Sequence, residues 1–433
     1  MMKRTVITSA RNVSGQSIEF AVAEDRISEW SENGSIKRLE NDEIVDLGGK
    51  KVVPSFVDLH THLREPGKED AETVASGSRS AARGGFGAVS AMPNTDPVAD
   101  TAGVVEQVHS LGIEAGLCDV FPIGAVTVGQ KGERLAEILA MAESRAKVRI
   151  FSDDGHCVAD PVLMRRALEY VKIFDGVIAQ HAQEPTLTQG SQMNESEVSA
   201  RLGLKGWPAV AEEAIIARDV LLADHVGSRL HVCHVSTAGS VEIIRWAKAR
   251  GIPVTAEVTP HHLLLTEDLA ETYDPIYKVN PPLRSGSDVE ALREGLADGT
   301  IDVIATDHAP HPEEAKECEW DAAAFGMIGL ETALAISYQA MVATGLISFK
   351  QLIDCMTIKP ASIGGYDEHR RPLGVGRLAS FAVIDEGGEW RIERESTVSK
   401  SKNTPFSGFT AQCYVQDVMY RGSWVVRAGT VMG

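Results

Sequence analysis

Apolar and polar positions alternate through the first fifty residues, in TVITSA, SIEFAVAEDRISEW and DEIVDLGGKKVVP, with Gly and Asn at the breaks. That period of two predicts short, half-buried strands joined by turns. The last sixty or so residues repeat the pattern in ASFAVIDEG, EWRIERE and VQDVMYRGSWVVRAG. Between these ends the pattern changes. Eight short apolar runs recur, at 53–60, 86–94, 118–126, 148–155, 177–184, 230–237, 254–262 and 301–310. Stretches with helical spacing, such as ERLAEILAMAESRAK and DPVLMRRALEYVK, separate them. Strands alternating with helices predict parallel βα units, and eight units in about 250 residues or somewhat more is the arithmetic of a TIM (β/α)8 barrel. The expected fold is therefore α/β. It pairs a barrel over residues 54–360 with a small β-sandwich domain formed by both ends, 1–53 and 361–433, because chain termini often meet in space. A doubly wound open sheet is the competing arrangement, but its phosphate-binding fingerprints, G-x-G-x-x-G and G-x-x-x-x-G-K-[ST], do not occur.

Charge and composition narrow the function classes. The chain carries 42 Lys+Arg against 61 Asp+Glu, a formal net charge of −19. Such a field repels phosphate and argues against nucleic acid and anionic lipid as partners. It leaves a small anionic substrate open, since a few local cations override it. The six cysteines, at 118, 157, 233, 318, 355 and 413, include no C-x-x-C pair and read as free thiols. No run of about 18 apolar residues predicts a membrane span, and MMKRTVITSARN lacks the apolar core of a signal peptide. A cytoplasmic location is the default expectation.

Candidate chemistry clusters where the runs end. Run one closes on Asp58, His60, His62 and Arg64, run two on Asn94, run four on Asp153 and Asp154. His181, His234 and the group Asp307, His308 and His311 close runs five, six and eight. A strand buried on both faces has no ordinary use for such residues, and a barrel keeps its active site at the C-terminal ends of its strands. His60 and His62, two apart, share one strand face and can hold one ion. Imidazoles joined by a carboxylate suit Zn²⁺ or another borderline divalent cation better than Mg²⁺ or Ca²⁺. Arg64 continues the same face and offers a fork of donors to a carboxylate.

The constellation resembles the amidohydrolase superfamily of metal-dependent barrel hydrolases and, within it, the bacterial dihydroorotases. The matching stretches are VDLHTHLREPG (57–67), GGFGAVSAMPNTDPVADT (84–101), FSDDG (151–155), HVCHVST (231–237), VTPHH (258–262), VNPPLR (279–284), TDHAPH (306–311), FGMIGLET (325–332) and NTPFSG (403–408). Ser55 departs from the family's usual Gly before F-V-D, away from the chemistry. The resemblance implies hydrolysis of the cyclic amide of dihydroorotate to N-carbamoyl-L-aspartate with one or two Zn²⁺ per subunit. It implies His60, His62 and Asp307 as ligands of one ion and His181 and His234 as ligands of a second. Many relatives bridge two ions with a carboxylated Lys; FSDDG has none, and an Asp is implied in its place. The family's spacing to His181 points to Asp154, which leaves Asp153 to orient backbone or neighbouring groups. Asp307 is implied as the proton shuttle. Arg64, Asn94 and His311 are implied around the substrate carboxylate, and Asn280, Phe325 and Gly326 at the imide edge of the ring. A turn-forming role competes for Asn94 in PNTDP and for Asn280 before Pro281.

The other histidines draw plainer readings. His231, three before His234, is expected on the opposite side of its strand, and His308 is expected to point away from Asp307. His261 and His262 are expected to serve structurally or behind the ligands. His156 is expected beside the site, and His109, His225 and His369 outside it. Two rival functions remain. One is a hydantoinase or allantoinase using the same chemistry on another ring. The other is a non-catalytic subunit supporting aspartate transcarbamoylase, which is disfavoured because all six implied ligands are present; an active enzyme could also associate with that partner. A homodimer is the default oligomer. The charged segment after His311, PEEAKECEWDAA, reads as a lid or a partner contact.

Overall fold

The computed structural model describes residues 4–432. Eight parallel strands occupy the middle of the chain: β1 (Phe56–Thr61), β2 (Phe86–Ala91), β3 (Asp119–Pro122), β4 (Ile150–Phe151), β5 (Val177–Gln180), β6 (Arg229–Val232), β7 (Val254–Val258) and β8 (Val303–Ile304). β1, β2 and β3 form one parallel sheet, and β4 to β8 form another in chain order. Two isolated parallel bridges join them, Gly124 with Phe151 and Thr61 with His308. The backbone N–H of His62 also donates to His308 O at 2.8 Å.

Burial explains why the runs look apolar. Every residue of β1, β2 and β5 is buried. Val57, Leu59, Ala88, Ile150, Val177, Ala179, Cys233 and Val303 form one cluster, while Phe56, Val89, Phe151, Ile178, Leu230, Val232, Ala256 and Val258 pack in another with the helices. Parallel strands covered on both faces need apolar side chains on both. The helices begin on ordinary signals. Thr73 and Ser285 close capping boxes at Val74–Arg83 and Gly286–Asp298, and Asp160 caps Pro161–Val171. No helix among the described residues is long and apolar enough to cross a membrane.

The two ends of the chain meet in one nine-stranded sheet. Strand Lys51–Pro54 from the N-terminal side lies antiparallel to Phe381–Arg391 from the C-terminal side, with Phe381 opposite Pro54. Val6, Ile7, Phe20, Phe381 and Met419 share a core there, and Phe20 meets the ring of Phe381 edge-on at 5.3 Å. The expected cut between 360 and 361 falls inside helix Ile358–Gly364. Ala361, Ile363 and Tyr366 pack with the parallel-strand cluster instead of the terminal sheet.

Candidate metal centre

The residues that close the strands leave strand geometry to converge. Arg64 (φ 65°), His234 (φ 31°) and Asp307 (φ 47°) all adopt left-handed backbone, which non-glycine residues hold only where the surroundings fix it. Asp154 sits at the centre. His60, His62, His181 and His234 each bring a ring nitrogen to 3.2–3.3 Å of its carboxylate. Asp307 Oδ1 lies 3.0 Å from His62 Nε2 and 3.5 Å from His60 Nε2. All six residues are at most 5% exposed. Burial alone would raise both carboxyl pKa values. The histidines outweigh it, holding Asp154 far below the usual range and Asp307 at about 2.

Two sets of ligand atoms here, His60–His62–Asp307 and His60–Asp154–His234, each lie within 4.8 Å of one another. His60 Nε2 is buried without a hydrogen-bond partner among the described residues. A lone imidazole nitrogen facing two ionised carboxylates fits a divalent cation. The outward nitrogens of three of these histidines are held from behind: His60 Nδ1 by Glu257 (2.6 Å), His62 Nδ1 by Asn94 Oδ1 (2.9 Å) and His181 Nε2 by Gln183 Oε1 (2.7 Å). Such partners set ring tautomer and orientation.

The adjacent aspartates divide as their opposite faces require. Asp153 turns away from the histidines, and its carboxylate accepts the N–H groups of Val126 and Thr127 at 2.8 and 3.0 Å and the Thr127 hydroxyl.

Arg64 is 8% exposed. Its Nε donates to Pro310 O at 3.1 Å, and its Nη2 approaches His311 Nε2 at 3.4 Å. Burial lowers its pKa to about 10, so it stays cationic at neutral pH. His311 donates from Nε2 to Phe325 O at 2.8 Å; burial and the Arg64 charge push its pKa down to about 3, so it is neutral.

Three expectations gain detail here. The carbonyl of Asn94 is engaged by His62, which leaves only its amide nitrogen for a ligand. Phe325 O is engaged by His311, Gly326 N–H by Lys278 O (3.0 Å), and Gly326 O by Lys316 and Asn403 (3.1 and 3.2 Å). These backbone groups hold their neighbours, and Asn280 Oδ1 at this edge is buried without a partner among the described residues. Gly326 could carry no side chain: its φ is 140° and a Cβ would come 2.9 Å from His311 Nε2. Third, His231 does not face away from the centre. Its Nε2 lies 3.0 Å from Glu257 Oε2, behind His60. β6 ends at Val232, so strand alternation does not extend from His231 to His234.

His308 accepts the Gly329 N–H at Nδ1 (3.2 Å) and turns Nε2 toward Glu72 at 3.5 Å. His262 is held by Thr259 Oγ1 and Pro281 O, whereas His261 Nε2 is buried and unpartnered among the described residues. A cavity of 1040 Å³ opens beside His311 and Asn403, lined also by Tyr277, Lys316 and Arg394. Glu313, in the segment after His311, also lines it and lies 2.9 Å from Arg394 Nη2. Glu257, Gln183 and Asn403 escaped the sequence reading; only the NTPFSG match touched one of them.

A family model described as "Dihydro-orotase-like" matches residues 49–240. The dihydroorotase of Streptomyces coelicolor is 60% identical over 407 residues, 94% of each chain. That of Leifsonia xyli is 59% identical, covering 99% of this chain and 97% of its own. That of Mycobacterium tuberculosis is 48% identical, covering 96% of each. Among solved structures, the L-hydantoinase of Arthrobacter aurescens superposes with a TM-score of 0.88 at 27% identity, covering 100% of this chain and 98% of that one. The dihydropyrimidinase of Brevibacillus agri has a TM-score of 0.84 at 21% identity, covering 99% and 96%, and speaks to fold alone. Sequence identity at this level over nearly the whole length, on a chain whose buried histidines and aspartates converge on one point, decides between neighbours of similar shape: the chain belongs to the dihydroorotase family.

Proposed function

We propose that this chain catalyses the reversible, zinc-dependent hydrolysis of the cyclic amide of (S)-dihydroorotate to N-carbamoyl-L-aspartate, a step of pyrimidine biosynthesis. One observation carries the reading: four buried histidines turn ring nitrogens to within 3.2–3.3 Å of Asp154. The parallel strands and the two bridges that join their sheets support a (β/α)8 barrel, with the terminal strands as a small β-sandwich domain. A cytoplasmic homodimer, able to associate with aspartate transcarbamoylase, completes the proposal.

His60, His62 and Asp307 would hold one Zn²⁺, His181 and His234 a second, and Asp154 would bridge. When bound, such a cation polarises the ring carbonyl and makes water a competent nucleophile near neutral pH. The chain's own residues do the rest. Arg64 binds the ring carboxylate, with the Asn94 amide and His311 beside it, and fixes which carbonyl faces the centre. Asn280 Oδ1 accepts from a ring N–H. Water oxygen bonds to the ring carbonyl carbon as the C–N bond breaks. Asp307, ionised at neutral pH, accepts the proton that water gives up and returns it to the departing nitrogen. Burial of the surrounding side chains excludes competing solvent.

The hydantoinase likeness keeps one second reading alive, and a single experiment separates the two. Wild-type protein is assayed on dihydroorotate, hydantoin and allantoin, alongside Asp307→Asn and a metal analysis. The expected result is a strong preference for dihydroorotate and loss of turnover in a folded Asp307→Asn protein. Preference for hydantoin, or wild-type activity in the variant, sinks the proposal.

A further inference from the structure

The proposed reaction leaves one buried carboxylate unused. Glu257, on β7, is 0% exposed, and both of its oxygens are engaged. Oε1 accepts from His60 Nδ1 at 2.6 Å and from the backbone N–H of His234 at 3.2 Å. Oε2 lies 3.0 Å from His231 Nε2, and His231 Nδ1 reaches Thr255 Oγ1 at 2.8 Å. Burial would raise the pKa of Glu257, but His60 and His231 hold it well below the usual carboxylate range. A chain of contacts thus runs from Thr255 on β7, across β6, back to β7 and on to β1.

Two consequences follow for the ligands. An imidazole that donates its Nδ1–H to a carboxylate leaves Nε2 as the nitrogen that yields its proton to a cation, and Nε2 of His60 is the atom that faces Asp154 and Asp307. His234 holds φ 31°, and a fixed acceptor on its N–H opposes the return of that backbone to ordinary geometry. One carboxylate on β7 therefore addresses one ligand on β1 and another just past the end of β6.

We propose that Glu257, backed by His231, is a positioning residue for the metal centre: it selects the tautomer and ring orientation of His60 and pins the backbone that aims His234. The inference rests on the metal-centre reading above and goes beyond it in naming what assembles that centre.

The test measures metal affinity rather than turnover. Wild-type, Glu257→Gln, Glu257→Asp and His231→Asn proteins are stripped with chelator. Each is then titrated with Zn²⁺ in competition with a chromophoric chelator, and thermal unfolding of each metal-free protein reports the fold. Glu257→Gln is expected to weaken binding about 10- to 100-fold, with part of the loss recovered in Glu257→Asp. His231→Asn, which reaches the carboxylate only from behind, is expected to weaken it less. Asp119→Asn, remote from the centre, serves as a control for lost stability and should leave affinity unchanged. Wild-type affinity in a folded Glu257→Gln overturns the inference. Should that variant not fold, wild-type affinity in His231→Asn overturns it instead. Uptake of a third equivalent that disappears in Cys233→Ala also overturns it, because His60, Cys233 and Glu257 offer ligand atoms within 4.8 Å of one another and Glu257 would then be a ligand itself. A wild-type chain that takes up no Zn²⁺ brings down the metal-centre reading along with the inference, a result distinct from the others.

Discussion

Arg64 concentrates the question of selectivity in one side chain. In the proposed reaction its guanidinium meets the ring carboxylate from a buried position, where a charge-assisted contact is worth about 1.5–3 kcal/mol. Arg64→Ala is therefore expected to lower kcat/KM for dihydroorotate by about 10- to 100-fold. It should do far less to an uncharged cyclic imide of the same ring size. Arg64→Lys should recover charge without the fork, and only part of the activity. Steady-state kinetics on both substrates check this; equal losses on the two rings would show that Arg64 supports the loop and not the carboxylate. Residues of this kind were readable in the sequence because their chemistry breaks a local rule: His60 stands in a strand with no packing use for it, and His62 directly past its end. Glu257 was not readable. In VTAEVTP a single carboxylate passes for an ordinary polar alternation, and only the approach of β1 and β6 shows that it faces inward. His231 misled for a related reason, since the period-two rule was carried past the point where β6 ends.

At the scale of elements, the apolar runs announced where strands would stand but not how short they would be. The runs at 148–155 and 301–310 contain strands of two residues each, Ile150–Phe151 and Val303–Ile304. Beyond these the backbone turns to serve side chains, as the positive φ of Asp307 shows. The join between the parallel strands and the terminal sheet was equally hidden, because its ion-pair partners lie some 250–300 residues apart. Asp119, at the start of β3, accepts from Tyr420 OH at 2.8 Å and Arg421 Nη2 at 2.9 Å, and meets His369 Nε2 at 2.8 Å. Burial alone would raise its pKa, but His369, Arg421 and Tyr420 together bring it to about 2 against an ordinary 3.8. A depressed carboxyl pKa stabilises the fold above the unfolded value and loses that contribution as pH falls through the folded one. The junction should thus contribute up to about 2 kcal/mol above pH ~4, fading toward pH ~2. Chemical denaturation of Asp119→Asn at stepped pH should show a deficit near that size at pH 5–7 that narrows over this acid window. A deficit constant down to pH 2 would mean that packing, not charge, holds the junction.

At the scale of the whole molecule, the C-terminal segment does more than close a sheet. After strand Phe381–Arg391 the chain returns to the mouth of the metal centre, where Asn403 makes three contacts with the backbone around His311. Its Oδ1 accepts the His311 N–H at 3.2 Å, and its Nδ2 donates to Ala309 O at 3.0 Å and to Gly326 O at 3.2 Å. Asn403 is 3% exposed, so water cannot replace these bonds freely. Asn403→Ala leaves one N–H and two carbonyls short of a partner, at about 1–3 kcal/mol for each that stays dry. Some of that is recovered at Gly326 O, which Lys316 also holds. Loss of the clamp should free His311, raising KM for dihydroorotate more than it lowers kcat. Asn403→Asp distinguishes hydrogen bonding from mere packing. A carboxylate can still accept from His311, but it has no proton for the two carbonyls and would face both across hydrogen-bond distance. If the clamp works by complementary donors and acceptors, Asp at this position should be less stable than Ala despite its closer fit. Thermal unfolding in metal-loaded protein, paired with KM at neutral pH, decides the matter. An Asp variant as stable as wild type would show that the segment is held by its apolar neighbours, Phe406 and Ile392, and that His311 is placed without help from the C-terminal end of the chain.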